Sequence, residues 1–225
     1  MGKLIVIEGC DGAGKETQSK LLVSRLNEMG IPARRITFPD YDSPSSGPVK
    51  MYLNGDFGKN DEVEPYAASS LYAVDRWAAY RSAWHEDYEK GVVIVADRYT
   101  GSNAMFQGAK FTNQDELKKF VAWLEEFEFH TLGIPAPDKT LFLDVPPVVS
   151  KKLTTSRYNK ATGGAKKDIH ESDINCQNRS YNTGHIISEM WRWEHIECTD
   201  KGEILPKAVI AEKIWAAVKD FVVKN

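Results

Sequence analysis

The stretch IEGCDGAGKETQ, residues Ile7 to Gln18, decides how the rest of the chain is read. It is a glycine-rich turn between an apolar run, KLIVIEG, and a helical pattern that begins at Lys15 and reaches Gly30. Its spacing nearly matches the phosphate-binding loop G-x-x-x-x-G-K-[ST], in the strand-turn-helix context that the motif requires. Gly9, Gly12 and Gly14 let the backbone turn inward so that its N–H groups converge on one anion. The helix start adds its positive end, and Lys15 is placed to reach the outer phosphates as a mobile charge. Glu16 departs from the motif, because a small hydroxyl normally meets Mg²⁺ at that position. A carboxylate is itself a hard oxygen ligand, so Glu16 is a candidate to hold Mg²⁺ directly or through water. The competing reading makes it a first-turn helix acid facing solvent.

Outward from this loop, short apolar runs alternate with longer helical ones. RRITF, VVIVAD and KTLFLDV read as further strands, and HIEC as a weak last one. Between them lie SSLYAVDRWAAYRSAWHEDYEK, NQDELKKFVAWLEEFEF with Asn113 as its cap, PPVVSKKLTTSR with proline in its first turn, and a closing PKAVIAEKIWAAVKDFVV. Strands separated by helices predict a three-layer α/β/α fold around a mostly parallel five-stranded sheet, like that of phosphate-loop nucleotide enzymes. Ligands in such sheets bind at the carboxyl ends of the strands.

The chain has 225 residues and no linker long enough to divide it, so one domain over residues 1–225 is expected. A net charge of -3 argues against a general nucleic-acid partner. No apolar run approaches the roughly 20 residues of a membrane span. Cys10, Cys176 and Cys198 form neither a metal pattern nor a disulfide framework, which suits a reducing cytoplasm. The five histidines show no metal spacing and receive no role. One segment breaks the alternation: residues 154–172 hold Gly163, Gly164, Arg157, Lys160, Lys166 and Lys167. It reads either as a solvated loop or as a basic lid over phosphates.

Three further segments make the chain resemble the thymidylate kinase family. The loop EGCDGAGKETQ carries an acid at Asp11 and continues with Thr17-Gln18; LYAVDRW resembles the family's LF-x-x-x-R helix; DRYTGSNAMFQG, residues 97–108, is close to its DRY-x-x-S-x-x-A-[YF]-Q-G segment. FPDYDS, LFLDVPP and DIHESD add weaker matches. The resemblance implies transfer of the γ-phosphate of ATP to dTMP, with Mg²⁺ as cofactor and a homodimer as the assembly. It implies that Gly9, Cys10, Gly12, Ala13, Gly14, Lys15, Glu16 and Thr17 bind ATP. Asp97 would serve the metal and Arg98 the transferring phosphoryl group. Asp11 would bind the sugar 3′-hydroxyl, Tyr72 would stack on thymine, and Arg76 would donate to its O4. Ser102 and Gln107 would line the base and sugar side, and Phe38 and Pro39 would shape the acceptor site. The family often has an arginine soon after that proline; FPDYDS has none, leaving Tyr41 and Lys50 as open questions. Some members place an arginine inside the phosphate loop; here that position is Gly12, so Arg157 of the lid, with Lys152, Lys160, Lys166 and Lys167 behind it, becomes the expected cation. Two alternatives stay open: another phosphate-loop kinase acting on a nucleoside or a different monophosphate, and a nucleotide-binding protein whose catalysis has lapsed.

Overall fold

The computed structural model describes residues 1–154 and 174–223. Most of the lid segment and its cations Arg157, Lys160, Lys166 and Lys167 therefore lie outside the described residues. The expected sheet is present. Its strands are β1 (Leu4–Glu8), β2 (Ala33–Thr37), β3 (Val93–Asp97), β4 (Lys139–Asp144) and β5 (Glu194–Glu197). They run in the order β2-β3-β1-β4-β5, and every pairing is parallel. β1 and β3 are buried at every position, which explains why both read as unbroken apolar runs. The register pairs Ile7 with Asp97, so the phosphate loop leaves the sheet beside the end of β3.

The helices are α1 (Lys15–Glu28), α2 (Gly47–Asn54), α3 (Pro65–Ala79), α4 (His85–Glu89), α5 (Thr100–Phe106), α6 (Gln114–Glu125), α7 (Pro147–Thr154), α8 (Ile174–Met190) and α9 (Lys207–Val223). A wide π-helical turn, Tyr80–Trp84, joins α3 to α4, so the long helix anticipated from Ser69 onward is continuous but begins at Pro65. Asn113 caps α6 as expected, its side chain accepting from the amides of Asp115 and Glu116. A short hairpin, β6 (Thr199–Asp200) and β7 (Glu203–Ile204), follows β5. Three helices escape the sequence reading: α2, α5 and α8. α8 occupies the stretch NCQNRSYNTGH, whose polar composition hides a helix lying along α5.

Alternation along each strand sends its side chains to two cores. Ile5 and Ile7 pack with Leu22 and Leu26 of α1 and with Ile210, Ile214 and Val218 of α9. Leu4 and Val6 face the other way, against Tyr80, Trp84 and Tyr88. The sheet is thus covered on both faces, and its carboxyl ends are left to form the site.

Candidate active site

The phosphate loop has the conformation its glycines allow. Gly9, Gly12 and Gly14 all have positive φ, at 147°, 78° and 89°. A Cβ on Gly9 would also approach the Leu143 carbonyl to 3.0 Å. Cys10 and Ala13 turn their side chains inward and are 4% and 2% exposed, so only their backbone can meet a ligand. Lys15 is buried and donates to the Cys10 carbonyl at 2.7 Å. Burial, with repulsion from Arg98, lowers its pKa to about 8, although Asp11 and Asp97 pull the other way. Glu16 accepts from Lys20 one turn along the helix at 2.9 Å.

Arg98 follows β3 directly and sits at φ 70°, a conformation that costs a non-glycine residue about 1 kcal/mol or more. Its surroundings hold it there. Its guanidinium pairs with Asp11, donates to Ser102 Oγ at 3.1 Å and to the Gly9 carbonyl at 3.4 Å, and lies over the Phe106 ring. Burial alone would lower the Arg98 pKa, but Asp11, then Glu8 and Asp97, raise it above the ordinary arginine value. The guanidinium is therefore a fixed positive charge at the edge of the phosphate loop.

Beneath it stands Glu8, which the sequence reading passed over as the last strand residue. It is fully buried and accepts from the amides of Tyr99 and Ser102 at 2.8 and 2.9 Å and from Ser102 Oγ at 2.6 Å. Burial raises its pKa, while the Ser102 hydroxyl and Arg98 oppose the shift. Glu8 thus orders the turn that carries Arg98 and Ser102. Asp97 is held by Arg35, whose Nη2 donates to Oδ2 at 2.7 Å while its Nε donates to Ser19 Oγ.

Beyond the loop lies a solvent-open cleft of about 90 Å³. Every residue expected on the acceptor side lines it: Asp11, Phe38, Pro39, Tyr72, Arg76, Arg98, Ser102 and Gln107. Tyr41, Leu53, Tyr99, Asn103 and Phe106 complete the wall. Tyr41 therefore belongs to the cleft, whereas Lys50 is not part of this lining. Phe38 and Pro39 are joined by a cis peptide. The segment after them is fastened to α3 by Asp75, which accepts from Asp40 N at 2.9 Å and Ser45 Oγ at 2.6 Å.

Arg76 is 2% exposed and forms a two-pronged pair with Glu128, Nε to Oε2 and Nη2 to Oε1, both at 2.6 Å. Thr100 Oγ1 donates to the same carboxylate at 2.9 Å. The pairing leaves Nη1 outside it. Gln107 is held through its amide nitrogen, which donates to Tyr52 Oη at 3.1 Å. The Tyr52 ring also meets Tyr72 edge-on, with centroids 6.1 Å apart. Glu128 and Tyr52 carried no signal in the sequence, because each reaches the site from an element far along the chain.

A parallel sheet, a phosphate loop at the end of its first strand and an adjoining cleft with fixed cations define a phosphate-loop kinase, a phosphotransferase. The comparisons with known proteins narrow that class. The model of the family described as thymidylate kinase matches residues 7–187. A thymidylate kinase of Mycobacterium tuberculosis is 31% identical over 189 residues, 83% of this chain and 85% of that one. A thymidylate kinase of Thermomicrobium roseum is 30% identical over 220 residues, 98% of this chain and 96% of that one. The structure of thymidylate kinase from Candida albicans superposes with a TM-score of 0.69 at 22% identity, covering 98% of this chain and 92% of that one, which shows the shared fold. The chain belongs to the thymidylate kinase family.

Proposed function

We infer that this protein transfers the γ-phosphate of ATP to dTMP, giving dTDP and ADP. One observation carries the reading. A buried arginine, Arg76, is fixed by Glu128 at the wall of a cleft that also holds the Asp11–Arg98 pair, next to the loop of Lys15.

In this reading the loop amides and the ammonium of Lys15 receive the phosphates of ATP. Arg98 lies between donor and acceptor and neutralises charge that spreads over the phosphoryl oxygens during transfer. Asp11 keeps Arg98 in place and offers its carboxylate to the sugar hydroxyl. Tyr72 stacks on the base. Arg76 has donors and no acceptor, so it favours a ring carbonyl over an amino group, which selects thymine over cytosine. Ser102 and Gln107 complete the polar wall. An unphosphorylated acceptor would need a general base. Asp11 is the acidic residue among those lining the cleft, and Arg98 holds it, so an acceptor already carrying a phosphate fits better.

Asp97 and Glu16 are hard oxygen donors flanking the loop, a set that fits Mg²⁺ better than a softer metal. These two would hold the ion, which when bound offsets phosphate charge and orients the transferring group. Arg157 of the lid is proposed as a further cation. A cytoplasmic homodimer, without nucleic-acid or membrane partners, accords with the family; no helix among the described residues is long and apolar enough to cross a membrane.

The test is steady-state transfer from ATP to dTMP, dUMP, dCMP, dGMP, AMP and thymidine across a Mg²⁺ series. Turnover is expected on dTMP first. Preference for thymidine or a purine nucleotide would overturn the roles of Arg76 and Ser102, and binding of ATP without turnover on any acceptor would point to lapsed catalysis.

A further inference from the structure

Away from the cleft, on the face of the sheet covered by α8, three potential metal ligands converge from three elements. They are Asp144 at the end of β4, His185 of α8 and His195 of the edge strand β5. One ligand atom of each lies within 4.8 Å of the others. His185 Nε2 stands 3.6 Å from Asp144 Oδ1. That is near the edge of roughly 3.3 Å expected of a tetrahedron with metal–ligand bonds of about 2.0–2.1 Å. The imidazole centroids of His185 and His195 are 5.4 Å apart, and His195 is exposed, so a side-chain torsion can bring it inward.

The groups behind two of these three, Asp144 and His195, already orient them as metal ligands are commonly oriented. Tyr181 Oη donates to Asp144 Oδ1 at 2.6 Å. Ser188 Oγ lies 2.6 Å from His195 Nε2 and donates its hydrogen to the His185 carbonyl at 2.7 Å. With that hydrogen committed, Nε2–H of His195 is the donor in the other contact, which leaves Nδ1 as the lone-pair nitrogen. Phe142 closes the inner side, with its ring centroid 5.3 Å from both imidazoles.

We propose that Asp144, His185 and His195 form a binding site for a divalent transition-metal ion of the zinc class, tying β4, α8 and β5 together. Two imidazoles and one carboxylate suit zinc and its neighbours and do not suit Mg²⁺, which prefers an all-oxygen shell. Three protein ligands leave a fourth position for water. The site shares no residue with the lining of the cleft, although Leu143, the residue before Asp144, lies against Gly9 of the phosphate loop, so the proposal is decided by metal binding rather than by turnover. The ion would clamp the end of the strand that leads into α7 to the helix that follows the lid segment.

The experiment uses the full, untagged chain, stripped with a chelator, desalted and kept free of nucleotide. Co²⁺ is titrated in and its visible d–d absorption is read, followed by displacement with Zn²⁺ and a thermal melt. The expected result is one Co²⁺ per chain with the intense band of tetrahedral coordination, displaced by Zn²⁺. The thermal midpoint should rise by about 5 °C or more at a hundredfold excess over Kd. His195→Ala and His185→Ala should each weaken binding at least about tenfold, with far-UV dichroism and turnover of dTMP unchanged. His195 is exposed, so its variant keeps the test decisive if the His185 variant folds poorly. No stoichiometric tetrahedral band in the wild type, or a band that survives His195→Ala at full affinity, would overturn the proposal.

Discussion

Replacing Glu128 by Gln keeps the shape of the buried partner and removes its charge, which tests how Arg76 is held. Arg76 and Glu128 are 2% and 0% exposed, so water does little to screen the pair. Removing one member of such a pair leaves the other charge buried and uncompensated, which costs about 3–5 kcal/mol. For a chain of this size each kcal/mol lowers the thermal midpoint by about 2–4 °C, giving a drop of about 6–20 °C. Replacing both partners with apolar residues, Arg76→Met with Glu128→Leu, removes the stranded charge. That double variant should recover most of the stability. The kinetics should separate the structural effect from the functional one. A charged hydrogen bond contributes about 1.5–3 kcal/mol, so kcat/KM for dTMP should fall about 10- to 150-fold in Glu128→Gln, while KM for ATP changes little. The double variant should be stable yet fail to discriminate dTMP from dCMP. Thermal melts and steady-state kinetics on both acceptors read these outcomes. A Glu128→Gln protein with unchanged melting and unchanged dTMP kinetics would refute the reasoning.

Outcomes are expected at four other residues. Glu8→Ala strands the amides of Tyr99 and Ser102, each worth about 1–3 kcal/mol, and should cost roughly 2–6 kcal/mol in urea unfolding while loosening Arg98 and lowering kcat. Lys15 has a folded pKa of about 8, below the ordinary lysine value of about 10.5. Its cationic form is complete below that point, so kcat/KM for ATP should fall tenfold per pH unit above about 8, and Lys15→Met should be slow with no such limb. By linkage the folded state releases this proton first, so Lys15 makes stability rise with pH between about 8 and 10.5, a slope that denaturant titrations should find missing in Lys15→Met. Glu16→Ser removes a carboxylate proposed to hold Mg²⁺; at the low end of about 1 kcal/mol, set by its pairing with Lys20, the Mg²⁺ concentration for half-maximal rate should rise about fivefold, and an unchanged or lower requirement would remove Glu16 from the metal site. The Cys10 thiol is pushed up to about 12 by burial, so mass spectrometry should find it unalkylated at neutral pH in the native protein and labelled promptly in urea.

Much of the fold was readable from local pattern. β1 and β3 are buried on both faces and show it as continuous apolar runs, and α1 begins at Lys15 and ends before Gly30 because the glycines on either side adopt positive φ. α8 was not readable. It carries Asn, Ser, Thr and Gly, and buries Cys176, Ser180, Thr183 and Ile187 instead of a row of large apolar residues. Gly184 belongs there because a Cβ would come within 2.9 Å of Met105 and 3.1 Å of Phe142, a constraint that exists only once α8 lies against α5 and β4. α2 and α5 are short, at 8 and 7 residues, and too brief for a helical period to emerge.

The sequence by itself determined the phosphate loop, because the groups that form it lie within a few positions of one another, whereas the residues expected around the acceptor rested on the family resemblance. Gly9, Gly12, Gly14 and Lys15 act through one turn of backbone, and Arg98 and Ser102 through another. Only the tertiary structure decided how those residues are held. Glu128 meets Arg76 across 52 positions, Arg35 meets Asp97 across 62, and Glu8 reaches Tyr99 across 91. Asp144, His185 and His195 converge because β5 pairs beside β4 and α8 covers both. A buried charge must find its partner wherever the fold brings one, and that pairing leaves no spacing in the sequence to read.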